Sequence, residues 1–439
     1  MWRYGKIIIF LLLFPSLVSW VQPAYGLNLL AAYRQAAASD PLLARARANL
    51  ELAKTYKPLA KSSLLPELRA GAGVNRKHSR ITGAGPETID ESIWGNEYSI
   101  TLKQPVFDGQ AYVSLRAAES RLKAGEAALM WADQDLIHRV CRLYFGVLQA
   151  QADAKRAASN QALFQKIYLK TKAAMEVGTG NRVDLQESLA RRDAAAAELV
   201  KARNQVLVAK KKLAVLIHQP VEVIADVVPL TPRGPEPDRM DLWVKSALDN
   251  QPVLDQARQQ LQVSRDEVEI ARRERWPRLD FIADAGYLKG GFLPEVKDHQ
   301  ESAGFYISFP LYLGGSISAR TSQARAAAKA GEQTLASIAD QVKVATQSAF
   351  LFLRDSVAIL EAAERSMKSA GLALAATKKG YEVGERNIID LMDTAEDYHE
   401  AQKRYFVSLY NHLLARIELK TAAGVVSVND IESINSLLK

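Results

Sequence analysis

Asp390 and Asp393 lie three residues apart and therefore share one face of any helix that carries them. In a symmetric oligomer such a pair would stack as rings of carboxylates, which favour cations and, by mutual repulsion, raise the pKa of some members. The alternative is an ordinary solvated helix face. Covalent chemistry finds no comparable constellation. The six histidines (His78, His138, His218, His299, His399 and His412) never pair at metal-ligand spacing, and the single Cys141 has no partner for a disulfide or a Cys-x-x-Cys site. His-Glu-x-x-His, Walker A and Gly-x-Gly-x-x-Gly patterns are all missing, so no catalytic group, cofactor or dedicated metal site is expected. Cys141, beside Val140 and near Leu143, reads as a buried, inert thiol.

The 439 residues are 48% hydrophobic and 24% charged, which excludes disorder and a disulfide-stapled scaffold. The formal net charge of +8 comes from lysines and arginines interleaved with acids along helical stretches, so nucleic acid is not an expected partner. Residues 1–26 read as an export signal: Arg3 and Lys6 precede a short apolar run, and Ala24 and Gly26 offer small residues for cleavage. Beyond them no window approaches the length of a membrane-spanning helix.

The elements that must position the aspartates come in two copies. Asp40-Pro41 is echoed by Gln251-Pro252, and Leu65-Pro66-Glu67-Leu68 by Trp276-Pro277-Arg278-Leu279, both 211 residues on. Pro105-Val106-Phe107-Asp108-Gly109 then matches Pro310-Leu311-Tyr312-Leu313-Gly314, Lys123-Ala124-Gly125-Glu126 matches Lys329-Ala330-Gly331-Glu332, and Val177-Gly178 matches Val383-Gly384. Asn181, Asp184 and Leu185 find counterparts in Asn387, Asp390 and Leu391. The first copy spans 27–218: a helix, strands near 66–76 and 96–104, a long helix over 110–177 and a helix over 181–217. The second spans 239–424: a helix, strands near 278–288 and 303–310, a long helix over 316–383 and a helix over 387–423. Between them, residues 219–238 carry Pro229, Pro232, Pro235 and Pro237 and must cross over without a helix. Residues 425–439 form a tail.

Each long helix makes a rod of about 100 Å at 1.5 Å per residue, and the opening and closing helices of each copy are about half as long, so two laid end to end match one rod. Leu115, Leu122, Leu129, Leu136 and Leu143 repeat every seven residues, a seam that expects a neighbouring helix. The strands alternate with period two: Leu68, Ala70, Ala72 and Val74 on one side, for example, with Arg69, Gly71, Gly73 and Asn75 on the other. A soluble sheet would show the same pattern, but the segments extend to the 9–11 residues that span an outer membrane, and Trp94, Tyr287 and Phe292 near the loop ends suit an interfacial girdle. Four strands cannot close a barrel, and open edges do not survive in lipid, so closure requires several chains; three would bring twelve strands.

The duplicated plan, the Leu-Pro-x-Leu and Trp-Pro-x-Leu strand entries, the exits at Pro105/Gly109 and Pro310/Gly314/Gly315, and the two Val-Gly turns together resemble the TolC family of outer-membrane export ducts. The resemblance covers residues 27–424. It implies a mainly α protein with a membrane β region: a homotrimer whose 12-stranded β-barrel, four strands per chain, continues into a long α-helical periplasmic barrel. It places Gly178 and Gly384 at the periplasmic tips and the 219–238 crossover at a mid-tunnel belt. Pro66, Pro105, Gly109, Pro277, Pro310, Gly314 and Gly315 become strand–helix junctions. Asp390 and Asp393 match the family's constriction. Tyr381, Arg386 and Asp184 match its closed-state latch, in which Tyr381 and Arg386 hold Asp184 of the neighbouring hairpin; Glu385, where the family commonly has a small hydroxyl residue, competes for Arg386. The implied function is the outer-membrane exit of a tripartite export system in a Gram-negative cell. Its partners would be outer-membrane lipid, a periplasmic adaptor and an inner-membrane ABC transporter, in type I protein secretion. A small-molecule efflux duct beside a proton-driven pump is the alternative, and a periplasmic coiled-coil adaptor or scaffold the rival from another class.

Overall fold

The computed structural model describes residues 27–82, 88–225, 231–289 and 297–436. The export signal over 1–26, Pro229 and Phe292 lie outside them. The first copy runs α1 (Leu29–Ser39), α2 (Pro41–Ser62), β1 (Glu67–Thr82), β2 (Thr88–Phe107), α3 (Gly109–Glu176) and α4 (Arg182–Ile217). The second runs α5 (Met240–Asn250), α6 (Pro252–Arg273), β3 (Arg278–Lys289), β4 (Lys297–Ser308), α7 (Ser316–Glu382) and α8 (Ile388–Ala422), and α9 (Val428–Asn435) follows.

The opening helix of each copy is two helices, not one. Proline disfavours helical backbone in the residue before it, so Asp40 and Gln251 are both extended and the helix restarts with Pro41 or Pro252 in its first turn. The two breaks are secured differently. Asp40 caps α2, accepting from the Leu43 amide at 3.0 Å, while its carboxylate receives two bonds from Arg139 of α3 at 2.7 and 3.1 Å. That guanidinium holds the Asp40 carboxyl below the usual carboxylate range. Gln251 instead donates to the Thr421 and Ala422 carbonyls at the end of α8. Asp40 is 4% exposed, so Asp40→Ala strands part of a buried guanidinium network and should cost about 3 kcal/mol, read as a lowered thermal midpoint.

The two long helices run for 68 and 67 residues. Along α3, α2 packs on the first part and α4 on the last; α6 and α8 do the same along α7. The echoed glycines mark these seams: a Cβ on Gly125 would lie 2.9 Å from that of Ala53, and one on Gly331 would lie 3.3 Å from Leu261. The heptad leucines are less central than expected. Leu136 is fully buried but Leu129 and Leu143 only partly, because the tight seams of α3 are made by alanines such as Ala117 and Ala127. The largest core lies midway along the rods, where Leu136, Tyr144, Leu148, Leu213, Leu413 and Ile417 meet. Cys141 is buried there, and burial pushes its thiol up to about 12. The tail contributes α9, opened by a Ser427/Asp430 capping box, with Ile431 and Ile434 in the same core.

The crossover is fastened to α8 by His412, which is wholly buried. Ser356 donates its hydroxyl to the Leu353 carbonyl at 2.6 Å, so its oxygen accepts from His412 Nδ1 at 2.8 Å, and Nε2 accepts the Arg233 amide at 3.4 Å. These bonds specify the neutral ring, and burial with the nearby Arg416 lowers its pKa to about 4.

The four strands form one antiparallel sheet in the order β1-β2-β3-β4, with β1 and β4 at its edges. They exceed the sequence expectation. β1 and β2 stay in register from Glu67↔Lys103 to Thr82↔Thr88, and β4 begins at Lys297, not near 303, and ends at Ser308. From Arg76 to Arg80 the β1 residues are polar on both faces, so apolar alternation could not reveal that part of the strand. One face carries Leu68, Ile100, Phe281 and Ile307; the other carries Arg69, Thr101, Asp284 and Ser302, with Thr101 donating to Asp284 at 2.7 Å.

Candidate functional site: hairpin tips and gate helices

Each long helix turns back through a Val-Gly pair. Gly178 and Gly384 adopt φ of +79° and +83°, left-handed backbone that a side chain would strain. Asn181 and Asn387 then cap the returning helices, accepting from the Val183 and Asp390 amides at 2.9 and 2.7 Å. The Asn echo in the sequence is therefore a pair of helix caps. Val177 and Val383 stand exposed at both tips. The first turn continues with the small, neutral Thr179 and Gly180, the second with the charged Glu385 and Arg386, whose amides donate to the Gly380 carbonyl at 2.8 and 3.2 Å.

Just past the second tip, Ile388, Leu391, Met392 and Ala395 of α8 are buried, the first three in a cluster with Phe164, Ile167 and Ala195. This fixes the rotation of α8 and leaves Asp390 and Asp393 together on its opposite side, 38% and 56% exposed. Each has an arginine at hand. Arg386 Nη1 lies 3.7 Å from Asp390 Oδ2. Arg191 of α4 reaches across to α8, bonding Asp393 Oδ1 at 2.7 Å and Glu396 Oε2 at 2.6 Å, and is steadied by Glu187 one turn before it at 2.9 Å.

The latch residues are not gathered within one chain. Tyr381 packs against the tip cluster with Lys170 Nζ 5.8 Å from its ring centroid, Arg386 faces Asp390, and Asp184 sits in the first turn of α4 without an ion pair among the described residues. Glu385 likewise forms no ion pair with Arg386 among them. The sequence reading missed Arg191 as the link between the two hairpins. Its local signature was the i,i+4 pair Glu187–Arg191, and nothing local announces partners 202 and 205 residues away.

The junction residues tie the sheet to the rods. Phe107 stacks on Trp276 at 6.3 Å, and a Cβ on Gly109 would lie 3.0 Å from that indole, so the strand exit requires glycine for close approach. A register shift between Pro105 and Phe107 ends the β2–β3 pairing, and Gly314 and Gly315, at φ of +61° and +83°, turn the chain from the Pro310 segment into α7. Pro66 and Pro277 sit at or just before the first residues of β1 and β3. Among the described residues no three His, Cys, Asp or Glu side chains converge as a metal site would require.

The family profile described as outer membrane efflux protein matches residues 32–217 and 243–425, the two copies in turn. The chain belongs to that family. As an outer membrane efflux protein it is a TolC-family export channel rather than an enzyme. It is similar to the alkaline protease secretion protein AprF of Pseudomonas aeruginosa, 28% identical with 94% of this chain and 88% of that one covered. It is also similar to the outer membrane protein TolC of Vibrio cholerae, 27% identical with 94% of both covered. The fold matches the crystal structure of the Campylobacter jejuni CmeC outer membrane channel with a TM-score of 0.80 over 94% of this chain and 90% of that one, at 17% identity.

Proposed function

We propose that three copies of this efflux protein close into one 12-stranded barrel standing on a tunnel of helices, and that the assembly is the passive outer-membrane exit of a tripartite secretion system. The reading rests on one observation above the others. A four-stranded sheet with one apolar face and two unpaired edges stands on helices of about 100 Å, and open edges are not tolerated in lipid. The apolar face would meet the membrane and the polar face would line the duct. Asp390 and Asp393 would ring the narrow end, with Asp184, Tyr381 and Arg386 joining neighbouring hairpins when it is closed; Arg191 ties α4 to α8 within each chain. Exposed pairs of this kind contribute about 0–1 kcal/mol each, which suits a gate that a partner must open.

A periplasmic adaptor and an inner-membrane ABC transporter exporting protein are the partners that the secretion-protein relative favours. A small-molecule efflux duct beside a proton-driven pump is the second reading, favoured by the family's own description. Family membership removes the adaptor or scaffold rival. Deleting the gene and measuring both the secreted proteins and the susceptibility to small toxic compounds separates the two exports.

Topology supplies the direct test. Cysteine in place of Lys297 should react with a membrane-impermeant reagent in intact cells, while cysteine in place of Glu385 at the second tip should react only after the outer membrane is breached. Reversed labelling would overturn the orientation.

A further inference from the structure

The apolar face of the sheet ends in a row of cations. On β3 that face runs Leu279, Phe281, Ala283, Ala285, Tyr287 and Lys289, and each residue has its register partner on β4, from Ile307 up to Lys297. Tyr98 and Tyr287 stack at 6.3 Å, and the His299 ring lies 4.9 Å from Tyr287, giving an aromatic band on three adjacent strands. One step further from the rods, Lys289 stands directly opposite Lys297. Both are exposed, and neither forms an ion pair among the described residues. Like charges placed directly across a strand pair repel. Arg76, two residues beyond Val74 on the same face, holds its guanidinium 5.8 Å from the Trp94 centroid.

Among the described residues no acid on that face lies within ion-pair distance of Lys289 or Lys297. Asp298 alternates to the polar face, where Gln300 donates to it at 2.8 Å, and Glu97 shares that face. Asp90 already accepts from Arg80 and lies 3.3 Å from His78. The nearest acid below Lys297 on its own face is Glu301, four residues along β4 or about 14 Å away.

We propose that Lys289 and Lys297, with Arg76 beside them, bind the phosphate groups of an anionic lipid in the outer leaflet. The proposal rests on the barrel reading, in which this face meets the membrane and its aromatic band lies at the interface. The cations then stand one step outside that band, at headgroup depth, where long basic side chains reach phosphate while their stems lie along apolar surface. The anion relieves the Lys289–Lys297 repulsion, and the lipid's chains run down the apolar rows beneath.

Native mass spectrometry of the detergent-purified full chain tests this by reading oligomer mass and bound lipid in one spectrum. Titrated with diphosphorylated lipid A, the wild-type trimer should retain lipid that Lys289→Gln with Lys297→Gln binds about tenfold more weakly. Lys77→Gln, which removes a cation from the polar face, should retain it like the wild type. Equal retention by the paired substitution, equal retention of phosphatidylcholine, or displacement by inorganic pyrophosphate at matched concentration would overturn the lipid site. A trimer with unchanged lipid binding counts against the site alone, whereas a folded monomer removes the barrel and the site with it.

Discussion

Replacing Asp390 and Asp393 with alanine should abolish block of the single-channel current by divalent and trivalent cations added from the periplasmic side. In the proposed trimer three chains would bring six such carboxylates to the narrow end, and their attraction for a multivalent cation grows with each charge held inside a confined passage. Loss of all six should weaken block by about tenfold or more. Arg191→Ala should act in the opposite sense. It frees Asp393 and Glu396 from a guanidinium that now bonds both, so block should tighten while the link between α4 and α8 is lost. Tyr381→Phe with Arg386→Ser should chiefly raise conductance, because it removes contacts at the tip and no ring carboxylate. Bilayer recordings of the three variants at matched salt and pH give three different signatures. A solvated helix face predicts little change in any of them, and unchanged block after loss of both aspartates would rule out the ring.

Acid should loosen the waist of the molecule through His412. Its ordinary pKa is 6.5 and its folded value is about 4, so between those values the unfolded chain takes up a proton that the folded chain refuses. Stability therefore falls as pH drops from 6.5 to about 4, and the loss is complete below about 4. The shift corresponds to about 3 kcal/mol per chain. The structural consequence is local: a protonated Nε2 can no longer accept the Arg233 amide, so the crossover should lift from α8 first. Hydrogen exchange at the Arg233 amide, followed from pH 7 to pH 4, should accelerate in the wild type beyond the intrinsic pH dependence. His412→Gln, which carries no titrating ring, should abolish that excess and flatten the acid limb of the unfolding curve.

Much of this architecture was legible because its punctuation is covalent. Pro66, Pro277, Gly178, Gly384 and the Asn181/Asn387 caps mark element ends through backbone geometry, which a sequence displays directly. The strand ends were not legible, since residues such as Arg76 and His78 continue the register without apolar alternation. The helix breaks at Asp40 and Gln251 stood in plain view as X-Pro pairs, yet uninterrupted helical composition on either side masked them. Of the proposed gate, the shared face of Asp390 and Asp393 followed from their spacing; that it turns away from the buried Leu391 and Met392 only the packing shows. Arg191 and the His412 fastening depend on partners far along the chain, and no local pattern encodes such meetings.

The two hairpin tips are alike in backbone and unlike in surface, one ending in Thr179-Gly180 and the other in Glu385-Arg386. In the proposed trimer six ends would therefore alternate, with approximate sixfold shape but only threefold chemistry. A partner that grips the shared Val-Gly turn can occupy every end, whereas one that reads charge can occupy only every second end. The unlike tips would thus give the proposed duct two docking stoichiometries, and exchanging Glu385 and Arg386 for Thr and Gly would collapse them into one.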